Sequence, residues 1–203
     1  MSRRMAALLL AAVLVGCARG PQGSDFHGIV LPVAFPRPHA TLTATDGKPF
    51  AFFDSTKGRI TFLFFGYTHC PDVCPVHMAN LAAVLKGLTH EDRDRIQVVF
   101  VTTDPRRDST QVIRRWLDTF DPTFIGLRGD DTTLVRFESD SRVALALPTS
   151  APDPAGNYEV GHAAQVIAFT PDDSAHLVFP FGTRQEDWAH DIPVLLAGAW
   201  SGK

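Results

Sequence analysis

Gly58-Arg59-Ile60-Thr61-Phe62-Leu63-Phe64-Phe65-Gly66-Tyr67-Thr68-His69-Cys70-Pro71-Asp72-Val73-Cys74-Pro75 is the stretch on which the fold turns. Residues 60–65 form an unbroken apolar run behind a glycine. A run without alternation suits a central strand covered on both faces. Downstream, Val73, Val76, Leu81, Val84, Leu85 and Leu88 recur at largely helical spacing over residues 73–88. Two cysteines in a Cys-x-x-x-Cys arrangement fall where the strand gives way to the helix. Strand ends in such sheets commonly host chemistry.

Outward from this unit the pattern continues. Ile96-Gln97-Val98-Val99-Phe100-Val101 reads as a second buried strand. Asp108-Ser109-Thr110 offers a helix cap before Val112, Ile113, Trp116 and Leu117. A short strand near Phe124-Ile125 and a helix from about Asp130 to Phe137 follow, and Val143 to Leu147 reads as another strand. Residues 165–169 and 177–181 flank the turn Pro171-Asp172-Asp173, and residues 187–199 read as a helix despite Pro193. Upstream, Thr41-Leu42-Thr43 and Phe50-Ala51-Phe52 flank Asp46-Gly47-Lys48, the signature of a small hairpin. The sum predicts a three-layer α/β/α domain with a mixed central sheet and an N-terminal hairpin. The crossover rule leaves open whether helices 73–88 and 108–119 share a face.

Composition narrows the function. The 203 residues are 45% hydrophobic and 20% charged, which argues against intrinsic disorder. A net charge of −3 gives no reason to attract nucleic acid. Ser2-Arg3-Arg4 precedes an apolar run, residues 5–15, that reads as an export signal. The run falls short of the about 20 residues of a comfortable membrane span. Leu14-Val15-Gly16-Cys17 resembles a bacterial lipobox, so residues 1–16 are expected to be a signal peptide and Cys17 to carry lipid. Residues 17–39, with several glycines and prolines, suit a tether, and residues 40–203 one domain. The expected location is extracytoplasmic, lipid-anchored to a bacterial membrane, on the periplasmic side where there are two membranes.

Three cysteines cannot build a dense disulfide framework. Cys70 and Cys74, four apart, are expected on one helix face, where the helix start favours thiolate. Paired thiolates serve as a disulfide, in redox exchange or as soft metal ligands. Soft thiolates select Cu(I), whereas zinc wants four ligands. A third donor is therefore sought among the histidines and methionines. His69 adjoins Cys70; His77 and Met78 lie three and four residues after Cys74; His39, His90 and His176 are more distant in sequence. His162 stands out because it follows a Pro/Gly-rich loop, residues 148–157, and precedes the strand at 165–169. Asp104, before Pro105, and Asp72 read as turn or cap residues that also lie near strand ends.

Four segments together resemble the Sco/SenC family: residues 65–75, Thr103-Asp104-Pro105-Arg106-Arg107-Asp108, Phe120-Asp121-Pro122 with Phe124-Ile125-Gly126-Leu127, and Tyr158-Glu159-Val160-Gly161-His162. The resemblance covers about residues 40–198. It implies a membrane-tethered, thioredoxin-like metallochaperone that binds copper, Cu(I) or Cu(II), through Cys70, Cys74 and His162. Its implied partners are a copper-donor protein and the copper-binding subunit of cytochrome c oxidase, whose copper centre it helps assemble. Gly161 and Ala163 depart from the family's usual acidic residue and serine beside the histidine. The residues alone keep open a thiol–disulfide reductase, cycling Cys70 and Cys74 through a disulfide, as the alternative function. A peroxidase reading fails because the Pro-x-x-x-Thr-x-x-Cys spacing is missing.

Overall fold

The computed structural model describes residues 26–201, so the lipobox and the signal segment lie outside the described residues. The elements run β1 (Ile29–Pro36), β2 (Thr41–Ala44), β3 (Pro49–Ala51), α1 (Phe52–Thr56), β4 (Ile60–Gly66), α2 (Val73–Lys86), α3 (His90–Asp94) and β5 (Ile96–Thr102). They continue with α4 (Thr110–Asp118), β6 (Ile125–Arg128), α5 (Asp131–Asp140), β7 (Leu147–Pro148), β8 (Val160–Gly161), β9 (Val166–Phe169), β10 (Ser174–Phe179) and α6 (Gln185–Leu196), then a short 3₁₀ turn. Eight strands form one sheet in the order β1-β10-β9-β4-β5-β6-β2-β3. β4, β5 and β6 are parallel; β9 and β2 flank them antiparallel. The mixed sheet is the predicted one.

β4 is buried along its whole length, as its unbroken apolar run requires. Ile60, Phe62 and Phe64 pack with residues of α2, α4 and α6, including Leu81, Ile113 and Trp188. Leu63 and Phe65 point the other way, into a second core with Phe52 of α1 and Leu134 and Phe137 of α5. This alternation separates the two outer layers of the sandwich. The chain steps from β4 to β5 to β6 in one direction across the sheet. Right-handed crossovers in one direction put both connecting helices on one face. The question the sequence left open is thereby answered: α2 and α4 share a face.

The N-terminal hairpin forms with Thr41 opposite Ala51, and its turn uses Gly47 at φ +82°. The tether expected over residues 17–39 is different in its second half. Ile29–Pro36 is an edge strand on β10, with a register shift between Val30 and Phe35. Arg37 explains why the chain is held there. Its fully buried guanidinium donates to Thr56 Oγ1, Thr61 Oγ1, the carbonyls of Arg59 and Thr170, and Asp173 Oδ1. A long charged side chain with every bond local to the sheet end is invisible to periodicity.

The strand expected at 143–147 also differs. Only Leu147–Pro148 is extended, and it pairs with Val160–Gly161 in a separate two-stranded ribbon. The Val143 N–H donates to the Glu138 carbonyl and the Ala146 N–H to the Glu138 carboxylate. The backbone donors a strand would need are thus bound to α5. Among the described residues no helix is long and apolar enough to cross a membrane.

Candidate metal centre

The site sits at the C-terminal end of β4. Gly66 closes the strand with its φ in the ordinary range, and its missing side chain makes room. A Cβ there would lie 2.7 Å from Cys74 Sγ. Tyr67 to Asp72 form a turn in which the Cys70 N–H donates to the Tyr67 carbonyl. Asp72 is the N-cap of α2, accepting from the Val73 N–H at 2.7 Å. This is the cap role expected of it, although its carboxylate also lies 3.8 Å from Cys70 Sγ. The two cysteines therefore do not share a helix face: Cys74 is in the first turn of α2 and Cys70 lies in the loop before it. The loop folds back, so the sulfurs still face one spot.

His162 supplies the third side chain. Its Nε2 lies 3.6 Å from Cys74 Sγ and 3.8 Å from Cys70 Sγ. An ion with metal–sulfur bonds of about 2.3 Å and metal–nitrogen bonds of about 2.0 Å in trigonal geometry sets that separation at about 3.7 Å. The two nitrogen–sulfur distances thus already match those around a bound first-row ion. The other ring nitrogen, Nδ1, lies 3.0 Å from the Ala163 carbonyl and must donate to it. In a neutral ring this fixes the tautomer that leaves the Nε2 lone pair on the sulfur side. Phe64 and Tyr67 meet the imidazole edge-on at 5.8 and 5.6 Å, which holds its orientation and keeps the site apolar.

Electrostatics divide the thiols. The Cys70 thiol is lowered well below its ordinary range, first by the hydrogen bond from Cys74, with His162 and the Cys74 and Asp72 N–H groups adding against burial. Cys74, fully buried, is raised, by burial first and then by Cys70. His162 is pulled down by burial, but Cys70 and the Ala163 carbonyl outweigh this and raise it overall. The pair is thus split, with Cys70 the more readily ionised thiol and Cys74 the one that burial keeps protonated, and an entering cation competes with the protons on these donors.

The remaining sequence candidates separate. His77 is buried; its Nε2 donates to the Ala164 carbonyl at 3.0 Å, so it braces the segment just past His162. Met78 is packed in the core. His69 is half-exposed and turns to Thr68 Oγ1. His39 stacks on Phe53, His176 pairs with Asp172, and His90 begins α3. None of these joins the Cys70–Cys74–His162 group.

Two supports escaped the sequence reading. Asp108 is not the cap of α4, a role Ser109 takes. Its buried carboxylate accepts from the Thr68 N–H at 2.9 Å, Thr68 Oγ1 at 2.5 Å and Thr102 Oγ1 at 2.7 Å. It ties the cysteine turn to the end of β5. Asp104, expected as a turn residue, does accept the Arg107 and Asp108 N–H groups on its backbone carbonyl, but its carboxylate also accepts from Tyr158 Oη at 2.6 Å and pairs with Arg107. The Arg107 guanidinium lies 3.6 Å from the Tyr158 ring centroid. Both aspartates lie in the 103–108 segment, but only the fold shows what each carboxylate holds. Gly161 has a packing reason: a Cβ there would lie 2.8 Å from Thr149 Cγ2.

The family pattern described as SCO1/SenC matches residues 37–197. The chain belongs to the SCO1/SenC family. Among its relatives is a Stutzerimonas stutzeri protein named for copper binding, 32% identical over 86% of this chain and 84% of that one. Two solved SCO structures superpose closely. Apo Sco1 from Thermus thermophilus gives a TM-score of 0.75 at 27% identity, covering 84% of this chain and 96% of that one. Bradyrhizobium japonicum ScoI, solved with copper bound, gives 0.69 at 31% identity, covering 79% and 99%. The thioredoxin-like SCO fold is therefore the fold of this chain.

Proposed function

We propose that this SCO protein is an extracytoplasmic copper metallochaperone whose cargo sits between Cys70, Cys74 and His162. The observation that carries the reading is the donor triangle itself: two sulfurs and one imidazole nitrogen, all within 4.8 Å of one another. Two thiolates and a neutral imidazole match trigonal Cu(I); Cu(II) recruits a further donor. Copper-named and copper-bound relatives support the same cargo. Delivery goes to the copper-binding subunit of cytochrome c oxidase, after uptake from a copper-donor protein, by exchange of ligands one at a time. Lipid on Cys17 holds the chain on the outer side of the membrane. Mass spectrometry of the mature protein tests the anchor: diacylglyceryl on Cys17 is expected, and an unmodified Cys17 rejects it.

A second reading has its own observation. The sulfurs are free and adjacent, and Cys70 is held as the stronger acid of the two. Such a pair can reduce a partner's disulfide: Cys70 attacks, a mixed disulfide forms, and Cys74 displaces the partner thiol to leave a Cys70–Cys74 disulfide. Titration of the reduced protein with Cu(I), followed by spectroscopy of the oxidised complex, separates the two. One equivalent with thiolate-to-copper charge transfer supports the chaperone; no retention at equimolar copper supports the reductase.

A further inference from the structure

A second cluster of metal-ligating side chains lies apart from the thiol site, where the described chain enters the fold. His27 and His190 stack with ring centroids 4.0 Å apart and planes 6° from parallel. Each ring meets a carboxylate through Nδ1: His27 at 2.8 Å from Asp187 Oδ1, His190 at 2.8 Å from Asp191 Oδ1. His27, His190 and Asp191 each bring one ligand atom within 4.8 Å of the other two. The copper reading uses none of them.

We propose that His27, His190 and Asp191 form a second metal site, for a divalent first-row cation, with Asp187 at its rim. Donor chemistry sets the class. Two imidazoles and a carboxylate suit Zn²⁺, Cu²⁺ or Ni²⁺ and lack the soft sulfur that favours Cu(I). The cluster is therefore chemically complementary to the Cys70–Cys74–His162 site. Asp191 is a fixed ligand: it is fully buried, and its two oxygens accept the His27 and Gly28 N–H groups at 3.0 and 2.7 Å. The histidines are the adjustable ones. A parallel stack does not aim both nitrogens at one ion, so ligation splays the rings. Their side chains are 47% and 43% exposed, which leaves them that freedom. A cation here joins the entry of the chain to α6, residues 163 apart in sequence by the His27–His190 pair, and so stabilises the fold by mass action.

The test uses the full chain with Cys17→Ser, Cys70→Ser, Cys74→Ser and His162→Ala, which removes every thiol and the copper-site imidazole. Equilibrium dialysis against Zn²⁺ is expected to give one bound equivalent, with a rise in melting temperature. Adding His27→Gln and His190→Gln is expected to weaken binding at least about tenfold and abolish the rise. No bound equivalent in the starting variant overturns the proposal, as does an unchanged affinity after both glutamine substitutions. Should the double variant fail to fold, judged by far-ultraviolet circular dichroism without metal, His27→Gln alone decides by the same tenfold criterion.

Discussion

The two arms of the Cys70–Cys74–His162 site are built differently. The cysteine arm is part of the framework. Cys74 is in the first turn of α2, packed under Gly66, and the turn before it is bonded to Asp108 through both the N–H and the hydroxyl of Thr68. The histidine arm arrives through an exposed Pro/Gly-rich loop whose hydrogen bonds are mostly its own. Asp153 accepts the Ala155 and Asn157 N–H groups, and Thr149 N–H bonds the Glu159 carbonyl. Its ties to the body run through Tyr158 on Asp104, His77 on the Ala164 carbonyl, and Glu138 on the Ala146 N–H. In the proposed chaperone, a framework pair of thiols beside an imidazole carried on a lightly tied loop lets one ligand release while two retain the cargo.

The contrast is broken most severely at the framework. Cys74→Ser and Cys70→Ser are each expected to lower copper affinity about a hundredfold or more, because one hard hydroxyl replaces a soft thiolate. Competition with a chromophoric Cu(I) chelator measures it; retention within tenfold would show that the cysteine arm is not the anchor. Asp108→Ala comes next. It strands the N–H and hydroxyl of Thr68 in the cysteine turn and the Thr102 hydroxyl at the end of β5, costing about 3 kcal/mol in urea denaturation. A cost near zero would mean that the turn holds itself.

The histidine arm should respond more gently. Tyr158→Phe removes one hydrogen bond to a carboxylate and is expected to cost about 1 kcal/mol while speeding copper release more than it weakens equilibrium binding. Stopped-flow transfer to a chelator reads the rate, and an unchanged rate would detach Tyr158 from the release step. Glu138 gives the smallest effect and a sign. Burial raises its carboxyl above the ordinary 4.5. A folded-state value above the unfolded one contributes stability that is present below pH 4.5 and is lost as pH rises through the raised value. Glu138→Gln should therefore flatten the loss of stability with rising pH in that window, followed by urea midpoints at a series of pH values. An unaltered pH slope would place the titration elsewhere.

The same contrast explains what the sequence could disclose. The framework was legible because its signals are local: an unbroken apolar run at 60–65, an N-cap at Asp72, cysteines four apart, a hairpin turn at Asp46-Gly47. His162 was legible by its loop-to-strand position and by resemblance. What stayed hidden depends on contacts between distant residues. Arg37 reaches Thr170 and Asp173, Asp108 reaches back to Thr68, and Tyr158 reaches Asp104. No periodicity marks such pairings. Arg37 and β1 moved the start of the domain into the segment read as tether, and Glu138 removed the strand expected at 143–147. His27 and His190, at opposite ends of the chain, gave no motif to find.

The central claim is that two framework thiols hold copper and His162 completes the site as the ligand that lets go. It is tested most directly by titrating reduced parent and His162→Ala proteins with Cu(I) against a chelator of known affinity. Both should bind one equivalent, with the variant at least about tenfold weaker and faster to release. Identical affinity and release in His162→Ala would contradict the account and remove the imidazole from the site.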